Sequence, residues 1–249
     1  RLACWIAALL SERDPLRAGP GFRDCDLAHR VEVLHGRAAP PGMDVDSGAV
    51  RRIHRVIQQV ERQLGRTRPS RAPATPHLAE GDAVGLLLAF AYPDRIGRAR
   101  DGGSGRYALS GGRGATFTEA TALARSEFIV VAALDAGDRE ARIQLAAALD
   151  PGLLETHFSS AIQEGTSVVW DPKTETVAAR EVRRLGSLVL RDEPLRNAPA
   201  DTVLAAMIYG IRSLGLGCLP WTRELAQWRS RVAVVRGHDV RGSAEWPDV

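Results

Sequence analysis

The chain is 249 residues long, 45% apolar and 25% charged, an ordinary globular composition with room for one to three domains. No run approaches the ~18 consecutive apolar residues of a membrane span, and the three scattered cysteines (Cys4, Cys25, Cys218) fit neither a disulfide framework nor a zinc cluster. The net charge of +3 is too small to specify a polyanionic partner. Of the 33 basic residues only Lys173 is lysine, so the arginine total reads as genome composition. Reduced thiols and the lack of a signal-peptide pattern point to the cytoplasm. The opening Arg1-Leu2-Ala3-Cys4 lacks Met and reads as mid-helix, so the chain is expected to be a piece of a longer protein.

Residues 1–91 read as helical, broken at Arg13-Asp14-Pro15-Leu16 and at Pro40-Pro41-Gly42. Asp46 or Ser47 is a candidate N-cap. Val50, Ile53, Ile57, Val60 and Leu64 then mark one helical face, ending at Gly65. From Arg51 to Arg71 there are seven arginines and one acid, Glu61, a local +6 that reads as a solvated helix face. The proline tract from Arg68 to Pro76 is a linker or wrap-around loop, and a second helix is expected from about Asp82 to Tyr92. Over 92–165 the period changes. Short strand-like runs lie at 96–100, 106–109, 128–134 and 141–147, with turns at Asp101–Gly105 and Ser110–Gly114, a pattern that suggests a small barrel followed by a short helix near 153–164. Residues 166–249 offer strands at 168–170, 176–180 and 188–191. Two helices follow, one capped by Asp201 and presenting Leu204, Met207, Ile208, Ile211 and Leu214, the other capped by Thr222 and presenting Leu225, Trp228, Val232 and Val235. Trp221 and Trp228 read as core residues.

No residue pattern looks catalytic. A P-loop needs Gly-x-x-x-x-Gly-Lys-Ser/Thr, and the one lysine sits in Asp171-Pro172-Lys173-Thr174 without the glycines. The Gly-rich stretches are better explained as hairpin turns than as a phosphate cradle. His29 and His35, six apart, lack a carboxylate pair, and no Gly-x-Ser-x-Gly elbow is present. The sharper signal is local charge. Arg95, Arg98, Arg100, Arg106 and Arg113 face one acid, Asp101, within a 92–165 segment that is otherwise acidic (eight arginines, ten acids). Phosphate neutralisation would account for such a strip, with Tyr107 placed to stack on a base. The alternative is the solvated face of an edge hairpin, and on charge alone both readings stand.

Four blocks then carry a resemblance: 8–16 (Ala-Leu-Leu-Ser-Glu-Arg-Asp-Pro-Leu), 88–96 (Leu-Ala-Phe-Ala-Tyr-Pro-Asp-Arg-Ile), 106–115 (Arg-Tyr-Ala-Leu-Ser-Gly-Gly-Arg-Gly-Ala) and 210–222 (Gly-Ile-Arg-Ser-Leu-Gly-Leu-Gly-Cys-Leu-Pro-Trp-Thr). In order and spacing they resemble bacterial HrpB-type ATP-dependent RNA helicases of the DEAH class. The resemblance implies an α+β multidomain C-terminal fragment. It would comprise a helical, ratchet-like bundle (1–91), an OB-like small β-barrel (92–165) and an HrpB-type α+β C-terminal domain (166–249). It implies no cofactor in this fragment, with ATP and Mg held by RecA-like domains outside it, and no catalytic residue to carry over. It also implies that the first barrel hairpin, Arg95, Arg98 and Arg106 with Arg113 beyond, faces a channel for single-stranded RNA or DNA. The alternatives are a free-standing OB-type nucleic-acid-binding module and a protein-interaction region.

Overall fold

The computed structural model describes residues 1–19, 24–65, 78–100, 105–135 and 140–238. Residues 101–104 of the expected Asp101–Gly105 turn and the proline tract at 68–76 lie outside them. The chain divides into two compact units, residues 1–163 with 183–190, and residues 164–182 with 191–249.

The first unit opens with helices α1 (Leu2–Ser11), α2 (Leu27–Leu34), α3 (Ser47–Leu64) and α4 (Glu80–Ala91). Two short strands that the sequence reading did not anticipate, β1 (Leu16–Ala18) and β2 (Met43–Val45), pair antiparallel between them. Asp46 is the N-cap of α3 and accepts from the Gly48 and Ala49 amides. Along α3, Ala49, Ile53 and Ile57 are buried, Val50 and Val60 are half-buried, and Leu64, the last residue of the expected face, is exposed. α4 is apolar nearly all round and accordingly buries Val84, Gly85, Leu86, Leu88 and Ala89.

The barrel comprises β3 (Ile96–Ala99), β4 (Arg106–Leu109), β5 (Gly114–Thr116), β6 (Phe128–Asp135) and β7 (Ala141–Ala148), closed in the order β3-β4-β5-β7-β6. β5 and β7 are parallel and every other pair is antiparallel. β5 starts at the last residue of the expected Ser110–Gly114 turn and was not anticipated as a strand. The continuous apolar run of β6 has a direct cause, because both of its faces are buried. Ile129 and Val131 point into the barrel with Tyr107, Leu109, Ala115, Ile143 and Ala146. Phe128, Val130 and Ala132 point outward into a second core shared with α1, α2, α3 and α4. Helices and barrel are thus joined by one apolar layer. Gly85 lets α4 approach β7, since a Cβ there would overlap the Ala148 carbonyl oxygen.

α5 (Pro151–Phe158), capped by Asp150, is shorter than the sequence suggests. Strand β8 (Ile162–Asp171) begins correspondingly early. It forms a three-stranded sheet with β9 (Thr176–Leu185) and β10 (Leu188–Pro194), in the order β10-β9-β8. The β9–β10 turn belongs to the first unit, where Leu185 and Leu188 join the shared core. Gly186 there has φ +56° and lies against the Ser110 carbonyl, while the Ser187 amide donates to that same carbonyl.

In the second unit, α6 (Ala200–Leu214) follows β10 and α7 (Arg223–His238) ends the described chain. Three expectations are corrected here. Pro199, not Asp201, is the N-cap of α6, and it offers no side-chain cap. The helix also packs its small residues inward. Ala206 and Gly210 are buried, and Gly210 admits the Trp170 indole where no Cβ would fit. Leu204, Met207, Ile208 and Leu214 are therefore exposed. Trp228 on α7 is 48% exposed and is not a core residue, whereas Trp221 is half-buried under the Arg229 guanidinium.

Candidate nucleic-acid interface

Strand alternation decides where each residue of the β3–β4 hairpin points. Gly97 pairs with Leu109 and Ala99 with Tyr107 on the inner face, and Arg98 pairs with Ala108 on the outer face. Tyr107 is therefore a core residue, 1% exposed, with its ring edge-on to Phe117. Its hydroxyl lies 2.8 Å from the Leu123 carbonyl and 2.9 Å from that of Ser126, and donates to this pair. Burial pushes its pKa up to about 12. A ring closed inside a barrel has no face for a base, so the stacking role expected for Tyr107 does not hold.

The five arginines do not form one strip. Arg98 lies over the outer face and donates from Nη1 to the carbonyls of Val189 (2.6 Å) and Leu190 (2.9 Å), and from Nη2 to Glu127 (3.2 Å). Arg106 makes a two-point contact with Glu140 (3.2 and 2.6 Å), and Arg100 approaches the same carboxylate at 3.9 Å. The hydrogen bond from Arg106 holds the Glu140 carboxyl below the usual range. Sequence reasoning missed Glu140 because 34 residues separate it from Arg106. The β5–β7 pairing closes that distance, and Glu140 sits over Gly114 where a larger residue would crowd it.

Arg95 and Arg113 lie at the other end of the hairpin. Arg95 leaves the helical turn Pro93–Arg95, donates to the Ala132 carbonyl at 2.9 Å and stands 4.7 Å from the Tyr92 ring centroid. Arg113 is exposed. Together they line a cleft of about 310 Å³ with Asp94, Leu109, Gly111, Leu134 and Asp135. Two arginines and two aspartates leave this cleft without net charge. It suits a polar ligand held by geometry more than a polyanion drawn by field.

No group of three or more potential metal ligands clusters among the described residues. His29 is bonded to Asp24 (3.0 Å), while His35 contacts Glu80 (2.7 Å) and stacks on Trp5. No helix among the described residues is long and apolar enough to cross a membrane.

A solved structure titled as the E. coli DExH-box NTPase HrpB superposes with a TM-score of 0.57 at 29% identity, covering 99% of this chain. A second, titled as the Escherichia coli DEAH/RHA helicase HrpB, gives 0.53 at 26% identity and the same coverage. The ATP-dependent RNA helicase HrpB of Escherichia coli (strain K12) is 36% identical over 156 residues, 62% of this chain. The chain is HrpB-like. Its match spans 19% of that curated protein and 27% of each solved chain. Residues 161–195 also match the family model for the ATP-dependent RNA helicase HrpB, connector region. The matched residues coincide with β8–β10; of these, the turn within 183–190 belongs to the first unit, where the Ser187 amide meets Ser110 and the Val189 and Leu190 carbonyls hold Arg98.

Proposed function

We propose that this chain is the non-motor, C-terminal part of an ATP-dependent RNA helicase, forming one wall of the channel that holds single-stranded RNA during ATP-driven unwinding. The observation that carries the reading is similarity to HrpB structures across 99% of the chain, combined with a sequence that contains no P-loop. In this reading residues 1–91 are a ratchet-like bundle, 92–165 an OB-like barrel and 166–249 an HrpB-type C-terminal domain. ATP and Mg bind to RecA-like domains outside these residues, which together with RNA are the partners, and the protein works in the cytoplasm. The wall grips the strand through its phosphates and sugars, without reading bases. Of the hairpin arginines, Arg98, Arg100 and Arg106 are engaged within the first unit and Arg95 with the Ala132 carbonyl, so Arg95 and Arg113, in a cleft without net charge, add at most secondary contacts to the strand.

The test is direct. The 249-residue chain is expected to hydrolyse no ATP and to bind single-stranded oligouridylate weakly, with affinity falling as salt rises. In the gene, the frame upstream of Arg1 is expected to encode a P-loop and a DEAH box. A frame opening at Arg1, or no oligonucleotide binding in 25 mM salt, overturns the reading.

A further inference from the structure

The hairpin was the stronger electrostatic candidate in the sequence and α3 the weaker one, but the structure reverses their order. Along α3, Ala49, Ile53 and Ile57 are buried. At roughly 100° per residue, Arg51, Arg55, Gln58 and Arg62 project from the side opposite that stripe, flanked by Arg52, Gln59 and Gln63. All seven are exposed. Arg51, Arg52 and Arg55 make no hydrogen bond or ion pair with any described residue, and Arg62 reaches only the Gln58 carbonyl of its own helix. The acids on this element are elsewhere. Asp46 is spent on the Gly48 and Ala49 amides and on Arg17, and Glu61 is half-buried toward the core side. The exposed face is therefore arginine and glutamine throughout, with no carboxylate among them.

We infer that this face of α3 binds the phosphate backbone of a single-stranded nucleic acid, an inference that rests on the helicase reading above and assigns its main contact. Four guanidinium groups spread along about 16 Å of helix (11 residues at about 1.5 Å each). They match a ligand that presents one negative charge after another. Glutamine amides are suitable further donors to phosphate and sugar oxygens. An anionic membrane is the other polyanion to weigh, but this face carries no Trp, Phe or Leu to enter a bilayer. By comparison, each of the hairpin's Arg98, Arg100 and Arg106 already lies against a carboxylate or a carbonyl.

The experiment titrates fluorescein-labelled single-stranded oligouridylate with the 249-residue chain between 25 and 200 mM salt. It compares the parent with R51Q/R52Q/R55Q, R51K/R52K/R55K and R95Q/R113Q. The expected result for the glutamine triple is at least a tenfold loss at 50 mM salt, with an unchanged thermal melt. Its slope of log K on log salt should be shallower by about 2, at about 0.7 per lost contact. The lysine triple should bind within a few-fold of the parent, and R95Q/R113Q should lose less than the glutamine triple. Parental binding with an unaltered slope in the glutamine triple overturns the α3 assignment and leaves the helicase reading standing. Absence of binding by the parent overturns both. Flotation of the parent with phosphatidylserine vesicles, without oligonucleotide binding, also overturns both and identifies a membrane surface.

Discussion

Tyr107→Phe separates the two roles that a hairpin tyrosine can have. As a stacking platform for bases, phenylalanine would serve equally well and stability would not change. In the barrel the outcome is different. The hydroxyl is enclosed and faces two carbonyls, at 2.8 and 2.9 Å. Its single proton supplies one full hydrogen bond's worth of donation, with a net value of about 0.5–1.5 kcal/mol, and removing it leaves a buried carbonyl short of a donor at about 1–3 kcal/mol. The two figures overlap in what they count, so a loss of about 1–2 kcal/mol is expected. For a chain of this size that lowers Tm by about 2–8 °C, at roughly 2–4 °C per kcal/mol. Urea unfolding of parent and variant, followed by near-UV circular dichroism, measures it. Alkaline pH gives a second readout. Because burial raises the Tyr107 pKa from 10.0 to about 12, the folded state holds its proton more tightly than the unfolded chain. The associated stability is complete below about pH 10 and is lost as pH rises toward 12, a decline that Tyr107→Phe lacks. Equal stability of the two proteins, with the alkaline decline unchanged in Tyr107→Phe, would refute the buried assignment.

Four further outcomes are expected. Gly85→Ala, which in a free helix would gain about 1 kcal/mol, should instead destabilise by about 1–3 kcal/mol, because its Cβ meets the backbone of Ala148; calorimetry reads the sign. Arg30 is 4% exposed and bonds Asp14, Asp24 and the Asp26 carbonyl, so Arg30→Met should cost about 3–5 kcal/mol in urea by stranding the buried Asp24 carboxylate. Glu140→Gln releases Arg106 and Arg100 from their shared carboxylate and should tighten oligonucleotide binding at low salt, measured by fluorescence anisotropy. Asp46, held at about 2 by the Ala49 amide and by Arg17, favours the folded state above its unfolded value near 3.8. That contribution is lost as pH falls toward 2, so far-UV circular dichroism should show the α3 cap failing in that window and not between pH 4 and 7.

What was legible in the sequence was whatever depends on near neighbours. The apolar spacing of Ile53 and Ile57, the Asp46 cap and the alternation over 106–109 are set within a turn or a strand, and each is realised in the fold. The collinear blocks likewise gave the HrpB resemblance that the comparisons support. β5 escaped notice because three residues rich in small side chains carry no periodic signal until β4 and β7 flank them. On α6, period alone could not tell which face is inward, since the helix is ordered by Gly210 yielding space to Trp170 rather than by its large apolar residues.

Charge was the least legible property. A sequence counts arginines, but whether a guanidinium is available depends on what lies across the fold. Glu140 and the carbonyls of Val189 and Leu190, 34 to 92 residues away, engage the hairpin arginines, whereas the outward face of α3 meets no acid among the described residues. Local pattern thus determined the main helices, the longer barrel strands and the Asp46 cap of α3 through short-range sterics and hydrogen bonding. Only chain folding, which pairs groups remote in sequence, decided which arginines remain for a ligand.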